Sequence, residues 1–185
     1  MRIKTLYLAG PQLQRPGEAL AGAMRLLCDA AGFEALTVDV AALAERTHSE
    51  AMAREIYAER LARMRAADAG IIDLSPSRGP HCDPAAAFEA GFMAALGKPV
   101  FAYLNVGEED DADLVSRVDA HVGIEMDEGG VLRDDVGAAV EDYGLPESLM
   151  LWAEARRLYV IVTPDVHTDL TGLELCLEAV KLYAG

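Results

Sequence analysis

The sequence predicts an α/β protein in which a five-stranded parallel β-sheet lies between two layers of helices. Short apolar runs rich in β-formers alternate with segments whose apolar residues recur at helical spacing, and this alternation covers most of the chain. The run "AGIIDL" (69–74) is short and almost wholly apolar, which is typical of a central strand buried on both faces. A length of 185 residues suits a single domain, 1–185, with one sizeable core.

The predicted strands and helices begin near the start of the chain. The run "IKTLYLAG" (3–10) predicts a strand, and "EALAGAMRLLCDAAG" (18–32) predicts a helix that Gly32 closes. Ser49 is a good N-cap for a second helix, and Asp83 followed by Pro84 is a favourable helix start. The other strands are expected at 34–40, 69–74, 98–104 and 156–163, and the other helices at 49–67, 84–96 and 169–183. With right-handed crossovers, this order gives a three-layer sandwich of the flavodoxin or Rossmann type with strand order 2-1-3-4-5.

The segment from 105 to about 141 interrupts this pattern. Its runs "GEEDDADLVSRVD" and "DEGGVLRDD" are acidic and typical of loops, so we expect solvated faces or a partly mobile excursion there. The stretch "AVEDYGLPESLML" (139–151) is more apolar and is expected to be more ordered than its surroundings.

The charge of the chain excludes one class of partner. Asp and Glu number 31 against 16 Lys and Arg, which gives a formal net charge of −15. A surface of this sign repels the phosphates of DNA and RNA, so we expect no nucleic-acid partner. A small-molecule ligand remains open, because a local pocket need not share the sign of the whole surface.

Neither a membrane anchor nor a metal or disulfide framework is expected. The first residues lack the pattern of a leader, and no apolar run approaches the roughly 20 residues that span a bilayer. A cytoplasmic protein without membrane contact is therefore expected. Cys28, Cys82 and Cys176 are far apart and contain no CxxC pair, which favours reduced thiols over a disulfide or zinc site. We expect no metal and no cofactor.

The predicted sheet order places a binding crevice between the first and third strands. In open α/β sheets, ligands bind beyond the carboxyl ends of the strands, where the strand order reverses. The two loops at that point carry residues 7–11 and residues 73–83. Side chains from both loops are therefore candidates for a ligand site.

Two carboxylates stand in an unusual setting within "SRGPHCDPAAAFEAGFMAALGKPV" (77–100). Glu89 lies in an Ala- and Phe-rich helix, and Asp83 precedes that helix. Their spacing amounts to about 120° around the helix axis and about 9 Å along it, so they meet at one ligand only if Asp83 turns back over the crevice. Glu89 is either a buried nucleophile or base, or an exposed residue of an amphipathic helix. Asp83 is either a catalytic group or a helix cap.

Three residues near the crevice have both a functional and a structural interpretation. His81 can donate a hydrogen bond to a substrate or be a polar loop residue. Arg78 suits a phosphate or carboxylate ligand, but also a surface ion pair with one of the abundant acids. Tyr7 is most simply a core aromatic residue, although its hydroxyl can hydrogen-bond to a carboxylate. The sequence pattern alone leaves these alternatives open.

Three stretches follow one another in a recognisable order: "LYLAGP" (6–11), "MRAADAGIIDLSPSRGPHCDPAAAFEAGFMAALGKPV" (64–100) and "VEDYGLPESLML" (140–151). The middle stretch contains an Asp, five residues ending in Ala-Phe, then Glu-x-Gly, followed by Ala-Leu-Gly-Lys-Pro-Val. Together they resemble the three signature regions of the nucleoside 2-deoxyribosyltransferase family, and they cover most of the chain.

The resemblance implies transfer of a 2-deoxyribosyl group between nucleobases through a covalent glycosyl-enzyme. Glu89 falls on the family's nucleophile, Asp83 on the carboxylate that assists the leaving base, and Tyr7 on a tyrosine beside the nucleophile. Residues expected to bind the nucleoside or nucleotide and the nucleobase are Gly10, Pro11, Asp73, Arg78, Gly79, His81, Ser148 and Met150. Because the family completes each site across a subunit interface, the resemblance also implies a homo-oligomer with shared active sites, and a role in nucleotide metabolism such as purine salvage.

The sequence departs from the family pattern at three places. Ala85-Ala86 replace Gly-Thr, Ser148 replaces an asparagine that a neighbouring subunit contributes, and Arg60 stands where related enzymes carry Asp or Asn. A serine hydroxyl reaches less far than an amide, so these changes bear on sugar specificity and rate. Two alternatives to a transferase stay open. One is a hydrolase of 2-deoxynucleoside 5′-monophosphates with Arg15 or Arg78 on the phosphate, and the other is a nucleoside- or nucleotide-binding protein without turnover.

Overall fold

A computed structural model describes residues 2–14, 18–37 and 49–185 of the protein. Its strands are β1 (Thr5–Ala9), β2 (Glu34–Leu36), β3 (Ala69–Asp73), β4 (Val100–Val106), β5 (Ile124–Met126), β6 (Leu132–Asp134) and β7 (Arg157–Val162). Its helices are α1 (Glu18–Ala31), α2 (Glu50–Ala66), α3 (Pro84–Ala95), α4 (Leu114–Val122), α5 (Leu149–Glu154) and α6 (Thr171–Ala184). The main sheet is parallel, with strand order β2-β1-β3-β4-β7. The predicted order 2-1-3-4-5 is therefore confirmed.

Each face of the main sheet has its own apolar core. Leu6 and Leu8 of β1 join the core on the side of α1 and α6, whereas Tyr7 and Ala9 join the core on the side of α2 and α3. This division follows from the alternation of side chains along a strand. All five residues of β3 are buried, as expected for a strand covered on both faces. The alternation places the Tyr7 side chain on the α2 and α3 side of the sheet.

Helices α2 and α3 begin where the sequence predicts. The Ser49 hydroxyl caps α2 by accepting a hydrogen bond of 3.2 Å from the Met52 N–H. The Asp83 carboxylate caps α3 by accepting one of 2.9 Å from the Ala85 N–H. The strand predicted at 34–40 is observed as the shorter β2, and positions 38–40 lie outside the residues that the structure describes.

The expectation of loops between 105 and 141 is wrong in two places, because this segment contains α4 and the antiparallel hairpin β5–β6. Asp113 caps α4 by accepting a hydrogen bond of 3.1 Å from the Ser116 N–H. Leu114 and Val118, one helical turn apart, are buried. In the hairpin, the Asp127 carboxylate accepts hydrogen bonds from two backbone N–H groups of its turn. The acids of this segment therefore cap a helix and close a turn.

The carboxyl ends of β1 and β3 lie very close together. Gly10 follows β1 with a φ of 142°, a conformation that favours glycine. A Cβ atom built on Gly10 would lie 2.4 Å from the Cβ atom of Asp73, at the end of β3. The crevice predicted between these strands thus begins at a close contact that a side chain at position 10 would force apart.

Two further findings concern the cysteine thiols and the apolar character of the helices. The three cysteines are free thiols buried in the fold, and burial raises the pKa of Cys28 to about 11 and that of Cys82 to about 12. None of the helices within the described ranges is long and apolar enough to cross a membrane.

Candidate active site

Glu89 lies on the buried side of α3 and accepts two hydrogen bonds on one oxygen. The Tyr7 hydroxyl donates to Glu89 Oε1 at 2.8 Å, and Arg60 Nη1 donates to the same oxygen at 2.9 Å. Glu89 is 4% exposed. The alternative of an exposed glutamate on an amphipathic helix is therefore wrong, and β1, α2 and α3 each contribute one residue to this cluster.

Burial and the neighbouring groups shift the pKa of Glu89 in opposite directions. Burial raises the pKa of Glu89 and outweighs the opposing effects of the Arg60 charge and the Tyr7 hydrogen bond, while the Asp83 charge raises it further. The pKa of Tyr7 is also raised, first by burial and then by the neighbouring Glu89 charge. Tyr7 thus remains a protonated donor at neutral pH. A carboxylate with a raised pKa is more basic, and in its ionised form it can act as a nucleophile.

Asp83 combines the cap of α3 with a position close to Glu89. It is 4% exposed; its Oδ1 accepts the capping hydrogen bond, and its Oδ2 lies 3.8 Å from Arg78 Nη1. Its charge contributes to the raised pKa of Glu89, so the two carboxylates interact. The cap engages Oδ1, so it does not by itself exclude a catalytic role for Asp83.

Asp73 ends β3 and lies at the bottom of the crevice. It is 1% exposed and accepts a hydrogen bond of 2.9 Å from the Ser75 N–H, as well as one from the Ser75 hydroxyl. Gly10 contacts it from β1, and Pro11 begins a short 3-10 helix, Pro11–Gln14. The predicted binding residues Gly10, Pro11 and Asp73 are thus adjacent.

The loop before α3 carries three predicted binding residues of different character. Arg78 has a φ of 59° and a side chain that is 80% exposed, and Gly79 has a φ of 146°. The His81 ring nitrogen Nδ1 lies 3.5 Å from Glu147 Oε1, with the His81 side chain 58% exposed. His81 is therefore directed toward Glu147, while Arg78 lies beside Asp83.

Glu147 is a buried polar centre that the sequence reasoning missed. It is 1% exposed, and it accepts hydrogen bonds from the Cys82 N–H at 3.2 Å and the Ser148 N–H at 2.8 Å. Arg117 Nη2 lies 3.7 Å from its Oε2. Glu147 falls inside the stretch 140–151 that carries the family resemblance, which was the available signal. It joins the loop before α3 to the start of α5.

Ser148 and Met150 lie on a different side of α3 from the Glu89 carboxylate. With Ala87 and Gly91 of α3 they line a largely apolar cavity of about 410 Å³. Glu89 instead faces Tyr7 and Arg60. Within one chain, the fold does not bring Ser148 and Met150 to the Glu89 cluster.

The described part of the chain contains no evident metal-binding site. Residues 2–14, 18–37 and 49–185 contain no group of three or more His, Cys, Asp or Glu side chains arranged to hold a metal ion. The chemistry that the arranged groups can perform is nucleophilic attack, proton transfer and hydrogen bonding.

Comparison with known proteins gives a match to one family model and matches to solved structures. The family model described as nucleoside 2-deoxyribosyltransferase matches residues 6–150. A 2-deoxyribosyltransferase structure from Leishmania mexicana is 26% identical, with 95% of this chain and 97% of that chain covered and a TM-score of 0.60. A CMP N-glycosidase structure from Clostridium botulinum is 16% identical, with 97% and 99% covered and a TM-score of 0.44. No curated protein sequence matches significantly.

Proposed function

Because the chain belongs to the nucleoside 2-deoxyribosyltransferase family and is an enzyme of that kind, we propose that it transfers a 2-deoxyribosyl group from one nucleobase to another through Glu89. The observation that supports this proposal most directly is the buried Glu89 carboxylate with Tyr7 and Arg60 on one of its oxygens. A carboxylate in this setting is a nucleophile shielded from water, as N-glycosidic cleavage with a covalent intermediate requires.

The first half-reaction forms the glycosyl-enzyme. An electron pair of the Glu89 carboxylate forms a bond to C1′ of the sugar, and the pair of the C1′–N bond leaves with the nucleobase. Asp83 passes a proton to the departing base and becomes a carboxylate. We assign this transfer to Oδ2, because Oδ1 accepts the capping hydrogen bond from the Ala85 N–H.

The second half-reaction restores the enzyme. A ring nitrogen of the incoming base attacks C1′, its proton goes to Asp83, and the pair of the C1′–O bond returns to Glu89. Two inversions at C1′ give overall retention, as in retaining glycosidases. In this proposal, the substrate-binding residues of the chain's own crevice are Gly10, Pro11, Asp73, Arg78, Gly79 and His81.

A second copy of the chain would supply Ser148 and Met150 to a neighbouring site. This part of the proposal is supported by their position away from Glu89 and by the exposure of Met150 at 77% and Trp152 at 44%. Light scattering tests the homo-oligomer. Mixing Glu89→Ala protein with Met150→Asp protein tests shared sites, because hybrid oligomers should regain part of the activity, whereas a monomer would regain none.

The experiment that tests the transferase is product chromatography with deoxyadenosine or deoxyinosine and a second free base. We expect a new deoxynucleoside, its loss in Glu89→Ala protein, and no change in Glu178→Gln protein, whose side chain pairs with Lys181 on α6. Unchanged formation of product by Glu89→Ala protein would contradict the role of Glu89. A protein that forms no product and is only stabilised by nucleoside would be a binding protein without turnover.

Hydrolysis of a 2-deoxynucleoside 5′-monophosphate is the second candidate, and Arg78 is the observation that favours it. The exposed Arg78 guanidinium stands 3.8 Å from Asp83, where it can meet a phosphate without first losing a buried partner. Arg15 lies outside the residues described. Release of free base from deoxynucleoside monophosphates, with inhibition by sulfate that Arg78→Gln weakens, would support the hydrolase; indifference to the 5′-phosphate would contradict it.

A further inference from the structure

Arg60 forms a partly buried ion pair with the proposed nucleophile. The Arg60 side chain is 24% exposed and that of Glu89 is 5% exposed, so the 2.9 Å contact is largely removed from water. Such a pair is screened less than an exposed one, and its effect on the charge of Glu89 is correspondingly stronger.

The two hydrogen bonds distinguish the oxygens of Glu89. A carboxylate oxygen has two lone-pair sites, and on Oε1 the Tyr7 hydroxyl and Arg60 Nη1 can occupy both. Oε2 accepts neither of these bonds. An attacking oxygen needs a lone pair directed at C1′, so Oε2 is the oxygen suited to attack.

We propose that Arg60 is a positioning residue that anchors Oε1 of Glu89 together with Tyr7, keeps the carboxylate ionised, and presents Oε2 to C1′. This inference rests on the proposed function. In the first half-reaction the Oε2 pair forms the C1′–O bond and Glu89 loses its negative charge. In the second, that pair returns to Oε2, and the restored charge is stabilised by Arg60 as it develops.

The groups that face Glu89 come from three packed elements. Tyr7 lies on β1, Arg60 on α2 and Asp83 at the start of α3; Arg63 of α2 acts on Tyr7. Burial and Asp83 both favour the neutral carboxyl group, and Arg60 and Tyr7 oppose them. Loss of Arg60 leaves Tyr7 alone to oppose burial, so the pKa of Glu89 rises further. Because attack needs the ionised form, activity should then be lost at a higher pH on the acid side.

A purely structural role for Arg60 predicts a different result. If Arg60 only holds α2 against α3, its removal lowers stability and activity alike at every pH. The acid limb of the pH profile would then stay in place. Lysine would also be a poor replacement in a structural role, whereas it restores the positive charge in the proposed one.

The variants that separate the two roles are Arg60→Met, Arg60→Lys and the control Arg54→Met. Arg54 lies on the same helix, pairs with Glu50, and has a side chain that is 79% exposed. We expect the acid limb of kcat/KM to move up by about one pH unit or more in Arg60→Met, as is typical for loss of an adjacent opposite charge. Arg60→Lys and Arg54→Met should keep the limb near its original position.

A titration that needs no turnover completes the test. The carboxyl carbon of Glu89 is followed by NMR in glutamate-labelled protein and assigned by its loss in Glu89→Gln. A higher midpoint in Arg60→Met than in the unchanged protein supports the positioning role, even if no glycosidic activity is found and the proposed function fails. An equal midpoint overturns the positioning role, even if the transferase is active. Should Arg60→Met not fold, as judged by circular dichroism, the comparison of Arg60→Gln with Arg60→Lys decides in the same way.

Discussion

The Tyr7 hydroxyl donates a 2.8 Å hydrogen bond to Glu89 although the two residues are 82 positions apart in the sequence. The bond exists because β1 is next to β3 in the sheet and α3 packs over β3 on the side to which Tyr7 points. This hydrogen bond links β1, the first strand, to the carboxylate proposed as nucleophile.

Replacing Tyr7 by Phe should lower kcat strongly while leaving the fold intact. The variant removes one of the two donors that anchor Oε1, and misplacing a reacting group by about 1 Å costs on the order of a hundredfold in rate. Steady-state kinetics of product formation measure the effect. Tyr183→Phe is the matched control, because Tyr183 is 45% exposed on α6 and contacts the Phe101 ring on the other side of the sheet. Equal kcat for both variants would contradict the role of the Tyr7 hydroxyl.

The stability of Glu89→Gln relative to the unchanged protein should increase with pH. Burial raises the pKa of Glu89 in the folded state, so ionising it costs folding free energy. That cost is absent where the carboxyl group is protonated in both states and appears as pH rises through the raised pKa. We therefore expect the difference in Tm to grow by on the order of 2 °C between about pH 4 and about pH 8.

Calorimetry or thermal circular dichroism at each pH measures this difference. Glu178→Gln is the control, since its exposed pair with Lys181 should give a nearly constant difference in Tm. A difference for Glu89→Gln that shrinks as pH rises would show that ionised Glu89 is favoured by folding.

Gly10→Ala should destabilise the protein by about 2 kcal/mol or more, since it combines an unfavourable φ with overpacking. The added Cβ would lie 2.4 Å from the Asp73 Cβ atom, so β1 and β3 would have to move apart. Urea unfolding measures the loss. Gly22→Ala in α1 is the matched control, because its Cβ meets nothing within 4 Å and a helical Gly-to-Ala change stabilises by up to about 1 kcal/mol. Similar values for the two variants would refute the close contact at Gly10.

Glu147→Ala should cost about 3 kcal/mol of unfolding free energy, the usual scale for removing one partner of a buried charged pair. The variant leaves the Cys82 and Ser148 N–H groups without their carboxylate acceptor and leaves buried Arg117 without its nearby negative charge. Glu147→Gln should cost less, because its amide oxygen still accepts. Glu128→Gln in the exposed hairpin turn should be neutral, and denaturant titration of all three tests the ranking.

The sequence predicted those parts of the fold that local patterns determine. The strand order follows from the alternation of elements, and the start of α3 follows from Asp83 followed by Pro84, since a cap depends on adjacent residues only. The prediction for the segment containing α4 and the hairpin was wrong because residue types alone indicate that Asp113 and Asp127 are solvated acids. Their roles, capping α4 and accepting hydrogen bonds within the hairpin turn, depend on the backbone geometry.

The environment of Glu89 could not be predicted in the same way. Its burial depends on how α2 crosses α3, which brings Arg60 across a separation of 29 residues. On sequence grounds Arg60 was only a departure from a family pattern. The separation of Ser148 from Glu89 is likewise set by packing, because residues of α3 that are close in sequence face opposite directions.

The Glu89 cluster takes one residue from each of β1, α2 and α3, and this affects how activity returns during refolding. Tyr7, Arg60 and Glu89 meet only after β1, α2 and α3 have docked, and contacts between distant parts of a chain form late and slowly. After dilution from denaturant, recovery of turnover should therefore lag behind recovery of the helical circular-dichroism signal. The return of activity then marks the formation of the last long-range contacts.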